Sequence, residues 1–311
     1  MTTKTIEHML TINDLSQKEL FGLIDEAIIL KQQLKEGIPH HHLAGKSLGM
    51  IFEKSSTRTR VSFEVGMMQL GGHALFLNSN DLQLGRGESV ADTAKVLSRY
   101  VDGIMIRTFA HEKIEEFASA ATVPVINGLT DSHHPTQVLA DLMTIYEYKQ
   151  KLQGVNMVFV GDGNNNMTHS LIQGAVLAGM NMKVSSPPGF EPGEDVWKEA
   201  EEAAGRKGQI LQFYADPAEA VKDADVIVTD VWTSMGQEKE AEERFTHFQP
   251  YQVNKELTSH AAPDYLFLHC LPAHREEEVT AEVIDGPHSV VFEEAENRLH
   301  AQKALLKKLM G

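Results

Sequence analysis

Two arginines and five hydroxyl side chains crowd the eleven residues EKSSTRTRVSF, 53–63. A helix start rich in Ser and Thr offers free backbone N–H groups and hydroxyl donors at the positive end of the helix. An arginine adds a planar fork that matches phosphate oxygens. Ser56, Thr57, Arg58 and Thr59 are therefore candidates for an anion cradle. The same letters also describe an ordinary capped helix with surface arginines, and residue types alone leave both readings open. Arg60 has no assignable chemistry and reads as structural, with Val61, Phe63 and Val65 forming a core face behind the cradle.

Other residues raise similar pairs of readings. In DSHHPTQVLADL (131–142), His134 precedes a proline at a helix start and Gln137 follows one turn on. A capped helix with a solvated histidine pair accounts for these letters equally. FVGDGNNN (159–166) sits between a strand and a helix as a dinucleotide turn would, but only Gly161 and Gly163 fit that fingerprint and position 166 is Asn. The missing third glycine argues against a nicotinamide-linked oxidoreductase. Asn164, Asn165 and Asn166 instead offer amides to a small polar ligand. In DVWTSMG (230–236), Asp230 places a carboxylate where it would attract an ammonium group, with Ser234 and Met235 in the loop beyond. HCLPA (269–273) holds the sole cysteine, Cys270, and a lone cysteine is more often a small core hydrophobe than a thiolate. Arg298 in ENRLH reads as a helix-start arginine, and His40–His42 as a solvated loop without metal-ligand spacing.

The chain that must position these groups has 311 residues, more than one hydrophobic core usually supports, so two domains are expected. Its formal net charge of −16 argues against a nucleic-acid surface. It also repels anions at long range, so an anion site must be local and built from converging donors. No apolar run reaches the ~18–20 residues that span a bilayer, no secretory leader is visible, and one cysteine precludes an internal disulfide. These features favour the cytoplasm.

Strand and helix patterns alternate throughout. The first half reads as a helix at 16–35 with a Ser16/Glu19 capping box, strands at 47–52, 73–77, 102–108 and 122–127, and helices at 57–70 and 134–150. The first helix places Leu20, Leu23, Ile24, Ala27, Ile28 and Leu34 on one face. The second half reads as strands at 155–162, 181–187, 209–214, 223–232 and 265–272, with helices at 167–180 and 294–310. The segments 78–89 and 233–249 read as long functional loops. Such alternation implies parallel sheets covered on both faces, hence two doubly wound α/β domains. The cradle, Arg107, His134, the asparagine turn, Asp230 and Cys270 each fall at the carboxyl end of a strand, where open α/β sheets bind ligands.

Taken in order, F-x-K-x-S-T-R-T-R, R-T-F at 107, H-P-T-Q-x-L-A-D, D-V-W-x-S-M-G, H-C-L-P-A and E-N-R-x-H resemble the transcarbamylase family from about Leu10 to Leu309. The S-M-G and H-C-L-P motifs are similar to its ornithine branch. The resemblance implies two α/β domains of similar topology with the active site between them. Residues 1–150 would bind carbamoyl phosphate, residues 151–293 would bind ornithine, and the helix 294–311 would pack back on the first domain. Carried over by motif, Ser56, Thr57, Arg58, Thr59, Arg107, His134, Gln137, Cys270, Leu271 and Arg298 would hold carbamoyl phosphate. Gln83 would come from a neighbouring subunit, which implies a homotrimer and leaves higher assembly of trimers open. Asn166, with Asn165 as the alternative, would join Asp230, Ser234 and Met235 in holding L-ornithine. Arg107, His134, Cys270 and Arg298 would serve catalysis. The resemblance implies no metal, no cofactor and no nucleic-acid or membrane partner, and a place in arginine biosynthesis or catabolism. A carbamoyltransferase acting on another amine, such as putrescine, is the alternative.

Overall fold

The computed structural model describes residues 6–78, 87–233 and 241–311, which divide into two compact units. One comprises residues 1–143 and 296–311, the other residues 144–295.

The first unit opens with α1 (Gln17–Lys35), whose Ser16 and Glu19 form the expected reciprocal cap. It continues through β1 (Ser47–Phe52), α2 (Thr57–Gln69), β2 (His73–Asn78), α3 (Val90–Leu97), β3 (Gly103–Arg107), α4 (His111–Ala120) and β4 (Val125–Leu129) to α5 (Pro135–Lys149). All pairings are parallel, in the order β2-β1-β3-β4. The inner strands β1 and β3 are apolar and buried almost throughout, as strands covered on both faces must be. The edge strand β2 is largely exposed.

The second unit contains β5 (Asn156–Val160), α6 (Asn166–Ala178), β6 (Asn181–Ser185), α7 (Glu194–Lys207), β7 (Leu211–Tyr214), α8 (Pro217–Ala220), β8 (Val226–Thr229), α9 (Ala241–Phe248), α10 (Lys255–Thr258), β9 (Leu266–His269), α11 (Ala281–Ile284) and the start of α12 (Val291–Met310). Its sheet is also parallel, in the order β7-β6-β5-β8-β9. In both sheets the chain winds outward one way, returns to the middle, and winds out the other. Parallel strands favour right-handed crossovers, and with this winding such crossovers place helices on both faces. This reversal creates one switch point between β1 and β3 and another between β5 and β8, where neighbouring connections diverge and leave a crevice.

The helix α2 carries the candidate cradle at its start, and its end is a Schellman motif. Gly72 N–H donates to the Met67 carbonyl (2.9 Å) and Gly71 N–H to that of Met68 (3.0 Å), with Gly71 at φ +79°. A Cβ on Gly71 would lie 2.8 Å from the Cβ of His41. Gly71→Ala is expected to cost about 2–3 kcal/mol, from left-handed strain plus crowding, read as a lower midpoint in thermal denaturation.

Several local expectations are revised. Residues 241–248 form α9, not loop, because a buried Arg244 occupies its inward face and masks the apolar stripe. The helices α3, α4 and α7, and the short α8, α10 and α11, are additional to the expected set. In α1, Leu34 is exposed while Leu30 and the Lys31 stem are buried, a rotation of the expected face. Val61 is exposed beside the fully buried Phe63. Arg60 lies over the Phe76 ring at 3.8 Å and pairs with Glu64, which makes it structural. His40 is buried rather than solvated: its Nδ1–H donates to the Ile38 carbonyl and its Nε2 faces Lys303. Arg298 lies well inside α12, since that helix begins at Val291.

Candidate active site

At the switch point of the first sheet, β1 hands over to α2. Ser56 is the N-cap of α2, and its Oγ accepts from Thr59 N–H at 3.2 Å. Thr57 and Arg58 follow in the first turn, Thr57 exposed and Arg58 half-buried. Thr59 is fully buried, and its Oγ1 accepts from Nη2 of Arg298 at 2.7 Å. That bond joins positions 239 residues apart, so no local pattern could reveal it. Arg107 is the last residue of β3, buried, and its carbonyl accepts from Glu53 N–H at 2.8 Å. His134 immediately precedes α5 and is buried, as is its neighbour His133; the solvated-pair reading fails. Gln137 lies one turn into α5, buried, with Nε2 donating to Asp141 Oδ1 at 2.8 Å.

Burial pushes the His134 imidazole well below its ordinary range, and the cations of Arg298, Arg107 and Arg58 push it the same way. Three guanidinium groups therefore act on one neutral imidazole beside a helix start. This is a local concentration of cations in an acidic chain, as a phosphate site requires. An imidazole held neutral in the folded state takes up its proton only on unfolding, so this contribution is present above about pH 6.5 and is lost as pH falls below it. In urea titrations, His134→Gln should flatten the parent's loss of stability between about pH 6.5 and pH 5.

Two charge clusters brace these strand ends. Lys54 pairs with Asp131 and lies over the Phe109 ring at 4.4 Å, joining the segments that follow β1, β3 and β4. Glu53 pairs with Lys113 and accepts from the Thr108 hydroxyl. None of these residues stands out in the sequence, because each works through a partner 55 or more positions away.

At the switch point of the second sheet, Asp230 follows β8 and Asn166 opens α6. Asp230 is buried; its Oδ1 accepts from Val231 N–H (2.8 Å) and from the Cys270 thiol (3.2 Å). Burial raises its carboxyl above the usual range, and the charge of Glu278 adds to this, while His269, the Cys270 thiol and Val231 N–H oppose it. A carboxylate so placed gains more from an incoming ammonium group than one in water. Cys270, after β9, is half-exposed and hydrogen-bonded, not a core hydrophobe. Leu271 N–H donates to Nδ1 of His269 at 2.9 Å, which leaves Nε2–H of that ring to donate to Glu278 at 3.1 Å. Asn165 uses its Oδ1 to cap α6 through Thr168 N–H (2.8 Å), whereas Asn166 is the first helical residue and half-exposed.

Asp230, His269 and Cys270 bring oxygen, nitrogen and sulfur donors within 4.8 Å, a set that suits a zinc-like ion by type, although both His269 nitrogens are already engaged. The loop at 78–89 with Gln83, and Ser234 and Met235, fall on or extend into positions outside the described residues. Sequence reasoning missed Arg244 of α9. It is buried, pairs with Asp162 after β5, donates Nε–H to the Trp232 carbonyl (2.5 Å), and lies over Phe190 and Phe248. It ties together the two strand ends that carry Asn166 and Asp230.

Residues 7–147 match the carbamoyl-P binding domain, and residues 153–309 the Asp/Orn binding domain, of the aspartate/ornithine carbamoyltransferases. The chain is 61% identical over 302 residues to the ornithine carbamoyltransferase of Bacillus subtilis (strain 168), covering 97% of this chain and 93% of that one. It is 60% identical to that of Carboxydothermus hydrogenoformans, with 97% of each covered. Its fold matches the ornithine carbamoyltransferase structure from Pyrococcus furiosus with TM-score 0.96 and 56% identity, covering 100% of this chain and 99% of that one. The anabolic ornithine carbamoyltransferase from Campylobacter jejuni matches with TM-score 0.90 and 43% identity, covering 96% and 97%.

Proposed function

The chain belongs to the aspartate/ornithine carbamoyltransferase family and acts as a carbamoyltransferase on ornithine; on that premise we propose that its first unit holds carbamoyl phosphate and its second holds L-ornithine. The products are L-citrulline and phosphate. The observation that carries the first assignment is the convergence of Arg58, Arg107 and Arg298 on a neutral His134 beside the start of α2. Ser56, Thr57, Thr59 and Gln137 complete the cradle. Asp230, hydrogen-bonded by the Cys270 thiol and next to the strand end bearing Asn166, supports the second assignment.

The chemistry divides among these groups. An alkylammonium has a pKa of about 10.4, so the δ-amine of ornithine must lose a proton before it can attack. Asp230 and Cys270 orient that nitrogen toward the carbamoyl carbon. As the C–N bond forms, negative charge grows on the carbamoyl oxygen, where Thr59, Arg107 and His134 supply fixed dipoles and charge. The C–O bond to phosphate then breaks. Arg58, Arg107 and Arg298 stabilise the departing phosphate; the ammonium's first proton has already passed to solvent, and the second, shed by the nitrogen as the C–N bond forms, goes to the leaving oxygen and gives the hydrogen phosphate dianion.

The proposal extends to a homotrimer with Gln83 lent by a neighbour, to residence in the cytoplasm, and to arginine metabolism. The exposed edge strand β2, with Leu75 and Phe76, and the exposed Val61 and Met68 of α2 support a covered face there. Citrulline formation, measured with ornithine and with putrescine at saturating carbamoyl phosphate, tests the acceptor. Ornithine should be strongly preferred, and turnover with putrescine at an equal rate would overturn the assignment.

A further inference from the structure

One buried charge takes no part in the reaction described above. Lys303 of α12 is fully buried, and its ammonium contacts no carboxylate among the described residues. It donates to Oε1 of Gln69, the last residue of α2, at 2.8 Å, and lies 3.0 Å from Nε2 of His40. The tautomer of His40 is determined by geometry. Its Nδ1 lies 2.9 Å from the Ile38 carbonyl oxygen, which can only accept, so the ring proton sits on Nδ1 and Nε2 accepts from Lys303. The lysine stem packs on α2 as well: a Cβ at Gly66 would lie 3.3 Å from Lys303 Cγ.

The same helix holds the other end of α2, where Arg298 donates to Thr59 Oγ1 in the first turn. Thus α12 grips α2 at both ends. Among the residues of α2, only Thr59, Phe63, Gly66 and Met67 are buried, so few apolar contacts set its pose and the polar grip carries much of it. A cation at the last turn also suits the α2 dipole, whose positive end faces the cradle.

We propose that Lys303 is a positioning residue for the phosphate cradle, holding the far end of α2 through His40 and Gln69, and that protonation of His40 releases this hold. The inference rests on the reading of Ser56–Thr59 as a phosphate cradle. A protonated His40 would turn an N–H toward the lysine and remove its acceptor. The charged groups facing His40 are Lys303 from α12 and, on its own segment, His41 and His42. Burial lowers the His40 imidazole below its ordinary range, and Lys303 lowers it further. The released ring therefore binds a proton before the seated one does, and acid favours release. Burial also brings the Lys303 ammonium down to about 8. The neutral amine formed above that still has two N–H donors for the same two acceptors, so the hold survives alkali and fails in acid.

The test is calorimetric titration of inorganic phosphate into the full-length protein at about pH 7.5 and about pH 5.5, either side of the ordinary imidazole range. Parent, Lys303→Met, His40→Gln and Arg58→Ala are compared. Lys303→Met should raise the phosphate Kd about tenfold, the weight of one buried charged hydrogen bond, and raise KM for carbamoyl phosphate with kcat changed less than about threefold. His40→Gln keeps an acceptor for Lys303 that does not titrate. It should bind phosphate like the parent at the higher pH and better than the parent at the lower one. The ratio of the two proteins cancels the titration of phosphate itself. If Lys303→Met does not fold, the His40→Gln ratio decides alone. Identical pH curves for His40→Gln and the parent, or an unchanged Kd in a folded Lys303→Met, overturn the inference and leave the cradle standing. A parent that fails to bind phosphate, or an Arg58→Ala variant that binds it as the parent does, overturns the cradle itself.

Discussion

Replacing Arg107 by alanine lowers turnover at saturating carbamoyl phosphate and ornithine by about two to three orders of magnitude, the loss expected when one preorganised donor to a developing oxyanion is removed. Arg107 closes β3 at the switch point of the first sheet, is buried, and acts on His134 together with Arg58 and Arg298. In the proposed reaction it serves both the carbamoyl oxygen and the departing phosphate, and each gains negative charge as the transition state forms. The loss should therefore appear in kcat and in kcat/KM, with a smaller change in KM for carbamoyl phosphate. Arg107→Lys should recover only part of it, because an ammonium cannot reproduce the planar fork. Steady-state citrulline formation is the measurement. Turnover within a few-fold of the parent would remove Arg107 from the chemistry.

Breaking the Arg244–Asp162 pair should cost about 3–5 kcal/mol of stability, because either single substitution strands a buried charge. Both groups are almost completely buried; the guanidinium also donates to the Trp232 carbonyl and lies over two phenylalanine rings. Arg244→Met and Asp162→Asn should each lower the urea midpoint of the second unit. Trp232 fluorescence is a suitable probe, since that indole stacks on Phe248 at 6.1 Å. The double variant should lose less than the sum of the two, because it leaves neither charge alone. Strict additivity would show that the pair contributes little. The pair also links the strand ends carrying Asn166 and Asp230, so surviving activity should show a raised KM for ornithine with KM for carbamoyl phosphate little changed.

Local features were legible wherever the physics is local. The Ser16/Glu19 cap of α1, the start of α2 at Thr57, and the start of α5 at Pro135 follow from capping and proline geometry. The inner strands declared themselves as unbroken apolar runs. The errors arise where a polar residue is buried through a distant partner. Arg244 made α9 look like loop because its neutralising contact, Asp162, lies 82 residues away. His40 looked solvated because Lys303 lies 263 residues away. Cys270 could be read as core or as reactive until its bond to Asp230, 40 residues distant, was visible.

The amino-acid sequence by itself singled out the candidate residues and placed the cradle, Arg107, His134, the asparagine turn, Asp230 and Cys270 after strands, because alternation, caps and apolar runs are written in neighbouring residues. It also carried enough ordered motifs to point to the family. The tertiary structure decided the strand orders β2-β1-β3-β4 and β7-β6-β5-β8-β9, and so which strand ends adjoin. Parallel pairing joins segments far apart in the chain and is selected by the burial of both sheet faces, not by any local preference. That selection sets Arg107 beside the start of α2 and puts Cys270 against Asp230, while the packing of α12 on α2 brings Arg298 onto Thr59.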